Sequence, residues 1–422
     1  MLRTNPQSAT AKVASILLFA LAVMFTCSAQ AQTFTVLHNF TGGADGGNPY
    51  AGLAIDSAGS LYGTTNTGGS NGYGAGTVFK MTHRNGNWTF APLYSFMYGD
   101  DGGNPFAGVV FGPNGSLYGT TNDGGVHGDG TVFSLRPPPH ACSSVLCSWT
   151  ETVLYSFQGG TDGAGPYDGV VFDRAGNIYG TTYSGGTYGG GTVFELSPSD
   201  GGWTEGVIYA FSGSDGAQPI SGVTVDDAGN LYGTTQLGGD YVCDGNGPAC
   251  GTAFELTYSA GSGWAESFLY SFTGGADGAD PYAGLIFDPS GNLYGATPGP
   301  YGAGVAGTVF KLTPSAGAWT FSLVYGFGEG GDECGPRGTL AMDGAGNLYG
   351  TTYCLGTHFV GSVFKLTHIN GSWSSTTLYS FTGRSDGGYP EAGVTLDASG
   401  NVYGTTTVGG QYNYGVVFEI TP

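Results

Sequence analysis

A carboxylate followed four residues later by a proline recurs seven times along this 422-residue chain. Seven evenly repeated carboxylates would attract cations, and Ca²⁺ in particular, because calcium takes several oxygen ligands. The same Asp can instead cap a turn while the Pro directs the chain into the next strand, and its presence in every repeat favours that structural interpretation. The candidate ligand-binding carboxylates are Asp45, Asp101, Asp162, Asp215, Asp277, Asp332 and Asp386.

A second set of candidates is one aromatic or imidazole ring in each Gly-rich segment after the repeated motif Leu-Tyr-Gly-Thr-Thr. Planar rings beside acidic and amide groups suit the faces of sugars or an extended peptide. The alternative is that the rings pack loop against loop. The candidate rings are Tyr73, His127, Tyr188, Tyr241, Tyr301, His358 and Tyr412.

Signals of catalysis are weak, and we predict no catalytic residue, no cofactor and no metal centre apart from possible Ca²⁺. Gly68-x-Ser70-x-Gly72 matches a nucleophile elbow, but Gly is abundant and no helix follows. Lone glutamates such as Glu329, Glu333 and Glu391 could pair with a repeated Asp as acid and base. A glycosidase or lyase acting on extracellular polysaccharide is therefore the alternative function.

Net charge limits the classes of partner. The chain carries a formal charge of −21, with 10 Lys and Arg against 31 Asp and Glu. Nucleic acids and anionic membranes are bound through basic surfaces, so neither is an expected partner. Neutral ligands such as glycans, a partner protein and cations stay open, and the oligomeric state is undetermined.

The first 31 residues predict a signal peptide. Arg3 and Lys12 form a basic start, an apolar run covers 13–25, and Ala29-Gln30-Ala31 suits a signal peptidase. The apolar run is too short to span a bilayer, so no membrane insertion is expected. We therefore predict a secreted or extracytoplasmic protein whose residues 32–422 form a single domain.

Six cysteines follow the predicted signal peptide in three close pairs. An even number of cysteines in an exported chain predicts disulfides. The expected bonds are Cys142–Cys147, Cys243–Cys250 and Cys334–Cys354.

The motif Leu-Tyr-Gly-Thr-Thr, or a close variant, begins at seven positions spaced by 53 to 62 residues. A period of this length indicates a repeat architecture. Each repeat contains four short segments rich in β-branched and aromatic residues, separated by Gly, Asn, Asp and Ser. The motif copies begin at Leu61, Leu117, Ile178, Leu231, Leu293, Leu348 and Val402.

Six tryptophans in the fourth segments each stand eight residues before a phenylalanine. Because eight is an even number, a regular strand would place both rings on one face, and we expect them to pack there together. The pairs are Trp88/Phe96, Trp149/Phe157, Trp203/Phe211, Trp264/Phe272, Trp319/Phe327 and Trp373/Phe381.

The two ends of the chain predict how the repeats close. The seventh repeat ends at its third segment, 416–421, and residues 34–40 near the other end match the missing fourth one. We therefore predict an all-β, seven-bladed β-propeller with four antiparallel strands per blade, closed by strand 34–40 pairing with the C-terminal strands of the last blade. Loops after the second and fourth strands would share one face, where we place any ligand.

The ordered motifs Gly-Asn-Leu-Tyr-Gly-Thr-Thr, Gly-Thr-Val-Phe-Lys-Leu-Thr and Leu-Tyr-Ser-Phe resemble the GloVer tandem-repeat family of exported bacterial proteins. The resemblance covers essentially all of residues 32–422, and it implies export and tandem repeats but no established reaction or catalytic residue. The favoured function is an exported binding or scaffold propeller that engages a glycan, a cell-surface polymer or a partner protein on the loop face. A purely structural, Ca²⁺-stabilised propeller is a further alternative.

Overall fold

The fold is that of a computed structural model, which describes residues 32–113, 115–138, 149–243, 249–299, 306–328 and 334–422. Within these ranges all regular elements are β-strands, and 28 strands form seven four-stranded antiparallel sheets. The seven-bladed β-propeller is confirmed. The predicted signal peptide lies outside the described residues.

Each blade uses one repeat, and its strands run from the innermost to the outermost in chain order. The strand bounds, blade by blade, are β2 Ala54–Ile55, β3 Leu61–Thr65, β4 Thr77–Arg84 and β5 Asn87–Ser95; β6 Val110–Phe111, β7 Leu117–Thr121, β8 Thr131–Arg136 and β9 Thr150–Ser156; β10 Val171–Phe172, β11 Ile178–Thr182, β12 Thr192–Ser199 and β13 Gly202–Ala210; β14 Thr224–Val225, β15 Leu231–Thr235, β16 Thr252–Ser259 and β17 Gly263–Ser271; β18 Ile286–Phe287, β19 Leu293–Thr297, β20 Thr308–Ser315 and β21 Ala318–Gly326; β22 Ala341–Met342, β23 Leu348–Thr352, β24 Ser362–Ile369 and β25 Ser372–Ser380; β26 Thr395–Leu396, β27 Val402–Thr406 and β28 Val416–Thr421, with β1 Thr33–Asn39 completing blade seven.

The ring closes through the first strand of the described chain. Strand β1 pairs antiparallel with β28, where Phe34 lies opposite Ile420 and Val36 opposite Phe418. Blade seven therefore has the order β1-β28-β27-β26, with the two ends of the chain in one sheet. The predicted closure is confirmed, and it leaves the innermost strands free to surround a central channel.

The Leu-Tyr-Gly-Thr-Thr motif is the second strand of every blade, and it is buried along its whole length. Its Gly is required by the neighbouring third strand, because a Cβ on Gly180 would lie 2.5 Å from Cζ of Phe194. Its first Thr joins adjacent blades, as when Thr181 Oγ1 donates to the carbonyl of Ser221, 3.0 Å away. In blade five Ala296 replaces this Thr, so that blade cannot make the same bond to blade six.

The expectation that Trp and Phe share one face of the fourth strand is wrong. The register shifts between Val193 and Phe194, which pair with Tyr209 and Val207, so that Ile208 is an extra residue in β13. Such a bulge reverses the alternation of side chains. Trp203 consequently packs against the core shared with blade two, and Phe211 packs in the core shared with blade four.

Two of the three predicted disulfides are present. Cys243 is bonded to Cys250 and Cys334 to Cys354, with Cα–Cα distances of 5.3 and 4.5 Å. The pair Cys142–Cys147 lies outside the described residues. Disulfides of this kind persist in oxidising, extracytoplasmic compartments, so they are consistent with the predicted location. The described part of the chain contains no helix with the length and hydropathy needed to cross a membrane.

Candidate functional site at the mouth of the central channel

The repeated carboxylates close turns within their own blades. Asp162, for example, accepts hydrogen bonds from the Tyr155 hydroxyl and the Gln158 amide, both at 2.9 Å. Five others make equivalent contacts with a residue of the fourth strand and with the turn, and Asp332 lies outside the described residues. These five are Asp45, Asp101, Asp215, Asp277 and Asp386.

The candidate rings project into solvent. Four of them are 49% to 68% exposed, and the two histidines are also exposed, whereas Tyr301 lies outside the described residues. Tyr188 shares a groove of about 520 Å³ with Asp162 and Glu205, between blades two and three. The four tyrosines are Tyr73, Tyr188, Tyr241 and Tyr412, and the histidines are His127 and His358.

Glutamates on the outer strands of three consecutive blades face these carboxylates. Burial, together with the charge of Asp162, raises the pKa of Glu205 to about 7. Burial and the charges of Asp101 and Asp215 do the same to Glu151 and Glu266, each to about 7. One carboxyl oxygen of each glutamate is buried without a hydrogen-bond partner. No motif in the sequence marks these glutamates.

The residue that directly follows the repeated Pro occupies the mouth of the central channel in every blade. All seven such side chains line one cavity of about 460 Å³. A backbone turn places them there: the residue before Pro49, Asn48, has a φ of 53°, and its equivalent before Pro105, Asn104, has a φ of 52°. We call these residues the mouth ring: Tyr50, Phe106, Tyr167, Ile220, Tyr282, Arg337 and Glu391.

One side of the mouth ring is aromatic. The rings of Tyr50 and Phe106 have centroids 5.0 Å apart. Phe106 stacks on Tyr167, with centroids at 4.5 Å and planes at 15°. Three consecutive blades therefore present a continuous apolar wall at the channel entrance.

The other side of the mouth ring is charged. Nη1 of Arg337 lies 3.3 and 3.2 Å from the two carboxylate oxygens of Glu391. The guanidinium also stacks over Tyr353, 3.9 Å from the ring centroid, and lies 5.2 Å from the centroid of Tyr282. The Arg337–Glu391 ion pair lies on one side of the mouth ring, so the mouth does not share the sevenfold symmetry of the fold.

The charges in the mouth influence one another. Burial would lower the pKa of Arg337, but the adjacent Glu391 outweighs it and raises that pKa above its ordinary value. Burial first, and then the charge of Glu391, raises the pKa of Tyr50 and of Tyr167. The arginine is thus fully charged and the two phenols are neutral in the physiological range.

A further carboxylate lines the same cavity next to Tyr167. Asp168 Oδ1 accepts from the Gly169 amide and Oδ2 from the Gly222 amide of the next blade, both at 2.7 Å. Its side chain lies deep in the protein, its remaining surface faces the channel, and burial raises its pKa. The other blades carry small residues here: Ala51, Ala107, Ser221, Ala283, Gly338 and Ala392.

A collar of glycines follows, two residues before the start of each innermost strand. A carbonyl of the neighbouring blade packs against five of these glycines, so a Cβ on Gly393 would lie 1.8 Å from the oxygen of Thr339. The fit is looser at Gly52, where a Cβ would lie 3.7 Å from the oxygen of Gly393. Blade six has Thr339 in place of glycine, and its Oγ1 accepts from the Gly284 amide at 3.0 Å.

Of the mouth-ring residues, only Glu391 was a candidate from sequence, as a possible partner of a repeated Asp. The structure pairs it with Arg337 instead, while Glu329 and Glu333 lie outside the described residues. One signal could have identified the ring. The residue after Pro varies between Tyr, Phe, Ile, Arg and Glu while the residues around it repeat.

In the described part of the chain, no group of three His, Cys, Asp or Glu side chains is arranged to hold a metal ion. Calcium binding stays a prediction, and a fall in melting temperature on adding a chelator would test it.

The fold and the mouth define a seven-bladed β-propeller with an asymmetric cavity on its axis. Residues 20–153, 146–248 and 241–422 match the Gloeobacter/Verrucomicrobia repeat, and the chain belongs to this family of repeat proteins. The predicted GloVer resemblance is confirmed. No protein with a curated description matches the sequence.

Solved structures resemble the chain only in fold. PorZ, a surface component of the type-IX secretion system of Porphyromonas gingivalis, has a TM-score of 0.50 at 13% identity, over 88% of this chain and 46% of PorZ. An ulvan lyase of polysaccharide lyase family PL25 has a TM-score of 0.55 at 11% identity, over 92% of this chain and 95% of the lyase. This chain therefore spans about half the length of PorZ.

Proposed function

We propose that the protein is an exported binding propeller whose channel mouth takes a neutral glycan. One observation carries the proposal: the mouth ring is aromatic on one side and charged on the other, and it is the place where all seven repeats converge on one cavity. A volume of about 460 Å³ is in the range of sites for small ligands.

The two sides of the mouth suit the two kinds of surface on a sugar. The C–H face of a pyranose would stack on the wall of Tyr50, Phe106 and Tyr167, which lies at the entrance and is partly exposed. Arg337 and Glu391 supply a donor and an acceptor for hydroxyl groups on the opposite edge. The opposite charges of that pair offset each other, and Asp168 adds a carboxylate to the same cavity, so the mouth disfavours an acidic ligand.

Overall charge supports the same class of ligand. A chain with a formal charge of −21 repels acidic polysaccharides at a distance, and this repulsion weakens as salt is added. The ulvan lyase shares only the fold with this chain. It shows that a polysaccharide is a ligand class that a protein of this fold can act on, and it does not imply a shared reaction.

The test is binding by the full chain, produced with its own leader and purified from the exported fraction. Laminarin and xylan serve as neutral probes and polygalacturonate as the acidic one. We expect Phe106→Ala and Arg337→Gln each to weaken binding of a neutral probe by roughly tenfold or more, because each removes one side of the mouth. Tyr258→Ala, at a ring that is 61% exposed at the end of β16, is the matched control and is expected to bind normally.

A different site would give a different pattern. If Tyr188→Ala abolished binding while Phe106→Ala and Arg337→Gln had no effect, the ligand would lie in the groove between blades two and three. The channel mouth would then be excluded as the glycan site.

An enzyme that cleaves a polysaccharide is the second candidate. One observation favours it, because the phenol of Tyr167 and the carboxyl of Asp168 line the same cavity as Arg337 and Glu391. Time-dependent release of soluble fragments that Glu391→Gln stops would establish turnover. Binding without fragment release would exclude it for the probes used.

A further inference from the structure

The shape of the mouth cavity limits how a chain can enter it. Five consecutive residues of blade one, 50–54, line the cavity, so it extends from the mouth to the start of the innermost strand β2. Side chains of all seven blades surround its entrance. A polymer that reaches this depth along the axis therefore enters end-on, because an internal segment would need room for the chain both to enter and to leave.

Asp168 stands just inside this opening, one residue beyond Tyr167. Its two backbone partners hold the carboxylate in one orientation, and each oxygen keeps a lone pair for a further hydrogen bond. No cationic side chain of the described residues forms an ion pair with it. Burying a carboxylate without a counter-charge is costly, so its presence in the cavity wall calls for a reason.

Joining two blades is not a sufficient reason for a charge. Blades five and six are tied at a similar depth by Thr339, whose neutral hydroxyl accepts from the Gly284 amide. A hydroxyl at position 168 would make such a bond without the cost of burying a charge. The carboxylate differs from a hydroxyl in having two oxygens, which hold both backbone bonds and still accept more.

We propose, as an extension that rests on the proposed function, that the mouth recognises the end of a glycan chain and that Asp168 accepts hydrogen bonds from the hydroxyl groups of its terminal sugar. The terminal ring would lie between the aromatic wall and the Arg337–Glu391 pair. The rest of the chain would then extend outward along the axis.

Two probe pairs test this geometry: laminarin against laminarihexaose, and xylan against xylohexaose. Both members of a pair have the same kind of chain end. We therefore expect the dissociation constant per chain to be equal for the hexamer and the polymer. If affinity per chain rises with chain length, internal segments are being bound, and end recognition is wrong.

Asp168→Asn tests the role of the carboxylate. We expect it to weaken hexamer binding by roughly ten- to a hundredfold, the effect of losing a hydrogen bond to a charged acceptor. Asp168→Ser keeps one acceptor for a backbone amide and is expected to lose binding while staying folded. Ser221→Ala is the matched control, because Ser221 occupies the same position in blade four but bonds to Thr234, 2.9 Å away.

The outcomes separate the two proposals. Normal binding by folded Asp168→Asn and Asp168→Ser would make Asp168 only a tie between blades, while the mouth stays the glycan site. A wild-type chain that binds none of the four probes would overturn the proposed function, and the end-recognition inference with it.

Discussion

The glutamates on the outer strands of blades two to four should make stability fall as pH rises, and Glu205→Gln isolates one of them. Folding raises the pKa of Glu205 from 4.5 to about 7. A carboxyl whose pKa is raised on folding binds its proton more tightly in the folded state. The contribution of Glu205 to the free energy of unfolding is therefore fully present below about pH 4.5 and is lost as the pH rises towards about 7.

The size of the effect follows from the shift. A rise of about 2.5 pKa units is worth roughly 3 kcal/mol at 1.36 kcal/mol per unit, which is a ceiling. Glu205 keeps part of its surface in solvent, where water screens the charge of Asp162. We therefore expect about 1–2 kcal/mol for this residue. Glu151 and Glu266 lie in other blades, so their contributions should be roughly additive.

The assay is thermal and denaturant unfolding of the wild type and Glu205→Gln between about pH 4 and about pH 8. Glutamine resembles the protonated carboxyl, so the two proteins should match at the acid end and the variant should be more stable at the alkaline end. Asp200→Asn removes a charge at an exposed turn and serves as the control. It should leave the change in stability between about pH 4 and about pH 8 the same as in the wild type. Parallel curves for Glu205→Gln and wild type would refute the reasoning.

Three further predictions concern the collar, the blade junctions and the disulfides. Gly393→Ala should destabilise the protein by about 1–3 kcal/mol, because the new Cβ meets the Thr339 carbonyl. Gly52→Ala should be neutral or slightly stabilising, because its Cβ meets no close neighbour. Equal melting temperatures for the two variants would contradict this prediction. Thr181→Val should cost about 1 kcal/mol or more in urea unfolding, because the Ser221 carbonyl loses its donor. Cys354→Ser removes the Cys334–Cys354 bond and should lower the melting temperature under oxidising conditions. Adding reductant should then lower the melting temperature of the variant by less than it lowers that of the wild type. Mass spectrometry would check which disulfides remain.

The number of blades and their closure could be read from the sequence because each depends on local patterns. Alternating side chains and the Gly, Asn and Asp turns between them predict the strands. The pairing of β1 with β28 follows from counting the copies of the repeat, because the seventh copy lacks its fourth strand. The even spacing of Trp203 and Phe211 predicted that both rings lie on one face of the strand, and that prediction was wrong. A single extra residue at Ile208 reverses the faces, and no residue type in the strand signals that bulge.

For the candidate site too, some features follow from the sequence of one repeat and others arise only in the tertiary structure. The sequence by itself determined which loops share a face and that each Asp stands beside a turn, because these are properties of one repeat. Only the tertiary structure decided that Tyr50, Arg337 and Glu391 meet around one cavity. They come from the first, sixth and seventh blades, and closing the ring is what brings their innermost strands together on the axis. No spacing along the chain encodes that convergence, since it exists only once all seven blades are in place.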